Sequence, residues 1–150
     1  MPQDNGGRRT AGSKAPGFTL IEMLVALAIV GILAAIAVSA YDASSSRTRR
    51  EAATACLGQL ATALERERAA ALTYPGALPS ASCASELDDH YRFSAELSAE
   101  SFRIQAEPLG RQGRADESCN CVLTLDEAGH KGTAAGDPAC AADARVAACW

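Results

Sequence analysis

The sequence predicts an α+β fold, in which one long N-terminal helix carries a small antiparallel sheet of about three to four strands. An apolar run over residues 18–40 leads into a proline-free segment whose apolar residues recur at helical spacing. After Pro79 the period changes to two, which is typical of half-buried strands. Six cysteines follow the run and indicate disulfides that staple the C-terminal region: Cys56, Cys83, Cys119, Cys121, Cys140 and Cys149.

The apolar run predicts a membrane helix. Residues 1–17 are polar, whereas residues 18–40 carry Glu22 as their only charge. As a helix the run is about 35 Å long, enough to cross a hydrocarbon core of about 30 Å. An even number of cysteines beyond it indicates an oxidising compartment, so we expect the N-terminus inside the cytoplasm and residues 41–150 outside it.

Residues 41–72 predict an amphipathic continuation of the same helix. Arg50, Glu51, Glu65 and Arg66 are expected away from its apolar face, and Tyr74-Pro75-Gly76 ends it before a loop over residues 73–89. One stripe is apolar: Ala53, Cys56, Leu57, Leu60 and Leu64.

Residues 90–150 predict a sheet that covers this stripe. "HYRFSAEL" and "SFRIQAEP" alternate with period two and predict a hairpin that turns near residues 98–100. Residues 121–125 predict a third strand, followed by a turn over residues 126–129. Residues 109–118 and 133–148 have a loop-like composition.

The sequence offers no residues that would carry an enzymatic reaction. The formal charge of −4 gives no general reason to expect nucleic-acid binding. Neither His90 nor His130 has a neighbouring Ser/Asp or Cys/Asn pattern, and there is no glycine-rich phosphate loop. We therefore expect no catalytic residue, cofactor or small-molecule substrate. A zinc site can be drawn from Cys119, Cys121, His130 and Cys140, but the single residue between two of the cysteines disfavours it, and we expect no metal.

Glu22 has two possible explanations. It lies five residues into the apolar run, where a membrane anchor tolerates one acid near its end. Alternatively it has a cationic partner, because cleavage after Gly17 creates a free α-amine on Phe18, four residues from Glu22.

"GFTLIE" after a short charged segment, followed by about twenty apolar residues, resembles the prepilin signature of type IV pilins and type II secretion pseudopilins. The resemblance implies that prepilin peptidase removes residues 1–17 as a leader and that Phe18 is N-methylated. It also implies that Glu22 neutralises the Phe18 amine of a neighbouring subunit as helices bundle in the filament. The implied partners are other pilin subunits, the inner-membrane assembly platform and, before assembly, inner-membrane lipid.

Later segments resemble the PilE-type minor pilins: "RREAATACLGQLATALERE", Cys83, "YRFS", "FRIQAEP", "LTLDEAGHKG" and the terminal "CW". This resemblance implies a minor pilin that primes or joins a type IV pilus and so supports adhesion and twitching motility. Cys56 can bridge Cys83 if the chain after Pro75 folds back on the helix, and Cys149 is then expected to pair with Cys119 or Cys121.

Three alternatives stay open. A pseudopilin of a type II secretion system has the same helix in another machine. Cleavage of "AVSA" before Tyr41 by an ordinary signal peptidase would instead release a soluble periplasmic binding domain. DNA capture requires more basic surface than the cluster of Arg47, Arg49 and Arg50 supplies, and no nucleic-acid partner is expected.

Overall fold

The computed structural model describes residues 17–116, 118–134 and 138–150, without the side chains of residues 138 and 139. The chain divides into two compact units, residues up to Ala37 and Val38–Trp150. The first helix, α1, runs from Leu20 to Ala71 without interruption, which confirms the prediction of one long N-terminal helix. The predicted leader, residues 1–17, lies outside the described residues except for Gly17.

The second unit contains a four-stranded antiparallel sheet. Strands β1 (Tyr91–Leu97) and β2 (Phe102–Pro108) form the predicted hairpin, with Leu97 opposite Phe102. Strands β3 (Val122–Asp126) and β4 (Lys131–Ala134) follow, and the strand order is β1-β2-β3-β4. The sheet confirms the predicted fold class.

The core lies between the apolar stripe of α1 and the inner face of the sheet. All five predicted stripe residues are at most 1% exposed, and the strand residues that pack there include Tyr91, Phe102, Ile104 and Leu123. Tyr74, directly after α1, packs edge-on against Phe102, with ring centroids 5.1 Å apart. As its period of two predicted, β2 has one buried face and one solvated face.

Several segments expected to be loops contain short helices. Helix α2 (Ser82–Glu86) lies within residues 73–89, and α3 (Gly110–Ala115) lies within residues 109–118. A 3-10 helix (Pro138–Ala141) and α4 (Asp143–Cys149) occupy most of the tail. These predictions of loops were wrong because helices of four to seven residues are too short to show a periodic pattern, and tertiary contacts stabilise them instead.

Candidate functional site

The N-terminal motif lies where the extended chain enters α1. Gly17, Phe18 and Thr19 precede the helix, are not helical and are exposed. The Thr19 hydroxyl oxygen accepts a hydrogen bond from the Glu22 backbone N–H at 3.3 Å, and the Thr19 carbonyl accepts one from Met23 N–H at 3.2 Å. Thr19 is thus the N-cap of α1, and the bond between Gly17 and Phe18 lies outside the helix.

Glu22 occupies the third helical position and is exposed in the described chain. A carboxylate in the first turn of a helix interacts favourably with the helix dipole, by about 0.3–1 kcal/mol at an exposed site. Thr19 and Glu22 also have the Thr-x-x-Glu spacing of a capping box. This capping role was not among the expectations for Glu22, although the Thr-x-x-Glu spacing alone signals it.

The fold does not explain why residue 17 is glycine. Among the described residues, which begin at Gly17, nothing lies within 4 Å of a Cβ atom added to Gly17, and its backbone is not in the left-handed region. Any requirement for glycine at this position must therefore arise from a molecule that binds the motif.

The apolar run is fully accessible. All residues from 18 to 40 are exposed, and an 18-residue window of α1 has a mean hydropathy of 2.7. Its large side chains are exposed, for example Phe18 at 78% and Leu20 at 79%. Because so much contiguous apolar surface is unfavourable in water, this segment needs a membrane or other helices around it.

The six cysteines form three disulfides in the structure. Cys56 on α1 is bonded to Cys83 on α2, with Cα atoms 5.6 Å apart. Cys119 is bonded to Cys149, and Cys121 to Cys140, so the start of β3 holds both the 3-10 helix and α4. Of the two partners that the sequence left open for Cys149, the structure therefore uses Cys119.

A buried ion pair joins α1 to the segment after α3. Arg50 Nη1 donates to both carboxylate oxygens of Asp116 at 2.5 Å and to Ser118 Oγ at 2.7 Å. The Arg50 and Asp116 side chains are only 8% and 4% exposed. The expectation that Arg50 lies away from the buried face of α1 was wrong, because a helix face buries an arginine when a carboxylate is supplied opposite it.

Gln112 adds a second link between the same elements. Its Nε2 donates to the Ser46 carbonyl of α1 at 2.8 Å and to the Tyr91 hydroxyl of β1 at 3.1 Å. Burial raises the pKa of Tyr91 to about 12, so this phenol stays neutral at physiological pH. Nothing in the sequence predicts this role of Gln112, because it lies in a segment without apolar periodicity.

Of the residues considered for a zinc site, the three cysteines lie close together but are bonded in disulfides, and His130 is paired with Asp126. His130 is exposed beside Asp126, with its Nδ1 3.1 Å from the Asp126 carboxylate. Cys119, Cys121 and Cys140 are all engaged in disulfides. His90 is partly exposed, and no described contact joins its ring to a nucleophile or an acid.

Two arginines of the basic cluster, Arg47 and Arg50, are paired with acidic side chains, as is Arg111. Arg47 pairs with Glu51 at 3.1 Å, and Arg111 pairs with Asp42 at 2.7 Å. Residues 38–150 contain 11 basic and 16 acidic side chains, which gives a net charge of −5. This surface has no strong general attraction for polyanions.

The fold and the N-terminal motif define the chain as a type IV pilin, a class of structural subunits rather than enzymes. A profile of the prokaryotic N-terminal methylation motif matches residues 12–38. A second profile, described as "Type IV minor pilin ComP, DNA uptake sequence receptor", matches residues 39–124, which is more than half of the chain. The chain belongs to this family of type IV minor pilins.

Fimbrial proteins of two organisms are similar to part of this chain. A fimbrial protein of Pseudomonas aeruginosa is 47% identical over 49 residues, which are 33% of this chain and 32% of that protein. The type IV major fimbrial protein FimA of Dichelobacter nodosus is 45% identical over 49 residues, 33% of this chain and 31% of FimA. The chain thus covers about a third of the length of these relatives.

Solved structures of two pilins are also similar. A type IV pilin of Shewanella oneidensis has a TM-score of 0.46 and 29% identity, over 57% of this chain and 89% of that one. The non-core minor pilin PilV of Neisseria meningitidis has a TM-score of 0.46 and 20% identity, over 65% of this chain and 95% of that one.

The methylation motif and the exposed apolar helix are those of a membrane-anchored precursor that later enters a pilus.

Proposed function

We propose that this protein is a minor subunit that primes or joins a type IV pilus after cleavage between Gly17 and Phe18 and N-methylation of Phe18. Gly17 supports the processing step. The described residues leave space for a side chain at this position, so the fold does not require glycine there. We therefore attribute the glycine to the peptidase that cleaves after it. The non-helical, exposed backbone at residues 17–19 is accessible to an enzyme. Adhesion and twitching motility are the expected consequences of assembly.

The observation that carries the proposal is the position of Glu22 on a fully exposed apolar helix. Its dipole and capping effects are worth about 1 kcal/mol at most. An unpaired cationic amine in an apolar helix bundle costs several kcal/mol. In the filament, Glu22 therefore matters chiefly as the partner of the Phe18 amine of a neighbouring subunit.

The precursor is proposed to lie in the inner membrane with its N-terminus in the cytoplasm and its disulfide-bonded unit outside. Membrane lipid covers the apolar helix before assembly, and the assembly platform passes it to other pilins. The proposed organisation has a leader at residues 1–17, a membrane segment at residues 18–40 and an external unit at residues 41–150.

The test replaces Glu22 with alanine and with glutamine. Glu22→Ala should leave insertion, leader cleavage and disulfides intact, but greatly reduce the amount of this subunit in sheared pili relative to membranes. Glu22→Gln separates the two roles of the side chain, since glutamine also completes a capping box but carries no charge. Incorporation of Glu22→Gln at the wild-type level would assign Glu22 to helix capping, and incorporation of Glu22→Ala at that level would refute the assembly role.

A type II secretion pseudopilin is the alternative within this class. Deletion of the gene separates the two functions: loss of piliation with normal protein secretion supports the pilus, and the reverse result supports the pseudopilin.

DNA binding is the second candidate function, and the description of the matched family favours it. The net charge of the second unit opposes it, so any binding must rely on local contacts rather than on a general electrostatic field.

Titration of the full-length chain with a fluorescent 30-base-pair duplex of mixed sequence at low and high salt tests this function. If the exposed Arg114 contacts a phosphate, its replacement by alanine should lower the salt slope by about one. Absence of binding at low salt would exclude binding to the one sequence used. Repeating the titration with a library of duplexes tests the expectation of no nucleic-acid partner for other sequences.

A further inference from the structure

Four buried cysteines lie together at the start of β3. The sulfur atoms of Cys119, Cys121 and Cys149 all lie within 4.8 Å of one another, and the Cys140 sulfur is bonded to that of Cys121. All four residues are at most 4% exposed. Two disulfides therefore share one small volume, and we call these four residues the cysteine cluster.

We propose that the cysteine cluster is an internal thiol–disulfide exchange site, which keeps α4 tethered to β3 through whichever of Cys119 and Cys121 is available. Exchange requires a thiolate that reaches a disulfide sulfur. The sulfur atoms of Cys119, Cys121 and Cys149 lie within 4.8 Å of one another. When one of these cysteines is still a free thiol, its sulfur therefore lies beside the disulfide that the remaining cluster cysteines form. The native pairing is then chosen by packing rather than by the order of oxidation.

The chemical step balances within the chain. The Cys149 thiolate attacks the Cys121 sulfur, forms the Cys121–Cys149 bond and breaks the bond between Cys121 and Cys140. Cys140 leaves as a thiolate. One disulfide and one thiolate are present before and after, so no external oxidant or reductant is consumed.

Loop closure favours neither pairing strongly. The native Cys121–Cys140 loop has a sequence separation of 19, and residues 121 and 149 are 28 positions apart. Because closure entropy depends on the logarithm of loop length, this difference shifts the equilibrium by only about twofold. In the intact protein, the additional contacts of α4 then favour Cys119–Cys149, including the hydrogen bond from Trp150 Nε1 to the Gly132 carbonyl at 2.8 Å.

The experiment uses two single variants of the full-length chain in detergent. Cys119→Ser leaves Cys149 as the free thiol, and Cys140→Ser leaves Cys121 as the free thiol. In both, we expect peptide mapping after alkylation to find the non-native Cys121–Cys149 disulfide, at tens of per cent of the molecules. Its rate of appearance should rise about tenfold per pH unit from pH 6 to pH 8, because the thiolate is the nucleophile.

Cys83→Ser is the matched control. It leaves Cys56 free at a position outside the cysteine cluster, so both cluster disulfides should persist unchanged. The proposal is overturned if Cys119→Ser retains only Cys121–Cys140 with a free Cys149, and if Cys140→Ser retains only Cys119–Cys149. Equal scrambling in Cys83→Ser would also overturn it, because exchange would then not be confined to the cluster.

Discussion

Replacement of Asp116 by alanine leaves the Arg50 guanidinium buried without its carboxylate. The Arg50 side chain is only 8% exposed, so water does not readily replace the lost partner. Removing one member of a buried ion pair typically costs about 3–5 kcal/mol. The change also removes the oxygen that accepts the Cys119 backbone N–H at 3.2 Å, and we therefore expect a loss of about 4 kcal/mol in the free energy of unfolding.

That loss is a large share of the roughly 5–15 kcal/mol by which domains are stable. At about 4 °C per kcal/mol for a unit of this size, it corresponds to a decrease in Tm of about 15 °C. Denaturant unfolding of the full-length chain in detergent measures it, with far-UV circular dichroism and the fluorescence of Trp150, the only tryptophan. Trp150 packs beside Lys131, whose Nζ lies 5.2 Å from the ring centroid, so its emission reports on the folded tail.

Two controls separate burial from charge. Glu51→Ala breaks the ion pair with Arg47 on the same helix, but those side chains are 72% and 64% exposed, and its cost should be at most about 0.5 kcal/mol. The double variant Arg50→Met/Asp116→Leu should lose less stability than Asp116→Ala, because no unpaired charge remains. A cost below about 1 kcal/mol for Asp116→Ala would refute the reasoning.

Two further predictions concern the end of α1 and the turn between β3 and β4. Leu72 has a φ of 60° and is 88% exposed, so Leu72→Gly should raise the free energy of unfolding by about 0.5–1 kcal/mol, whereas Ala70→Gly inside the helix should lower it by about 1 kcal/mol. Equal losses in denaturant unfolding of the two variants would contradict this. Burial acts to raise the pKa of Asp126, but hydrogen bonds from the His130 backbone and ring outweigh it and lower the pKa. The resulting stabilisation is present above about pH 4 and is lost as the pH falls through the lower folded value, so thermal melts of Asp126→Asn from pH 7 to pH 3 should show a shallower acid loss than wild type.

The N-terminal motif and the main elements could be predicted because their signals are local. Gly17, Phe18 and Glu22 are close in sequence, and the apolar spacing of α1 and the alternation of β1 and β2 repeat within single segments. A periodic pattern of apolar residues predicts a helix or strand wherever one face of that element is buried. The cap at Thr19 is equally local and was predictable from its spacing to Glu22.

Tertiary structure decided the features that depend on distant partners. Arg50 is buried because Asp116, 66 residues later, lies opposite it, and nothing near Arg50 in the sequence announces that carboxylate. Cys149 pairs with Cys119 rather than Cys121 in the structure, although their positions in the sequence differ by only two residues. Spacing constrains a disulfide only through the reach of the chain, which both cysteines satisfy, whereas the folded structure brings the Cys149 sulfur to that of Cys119.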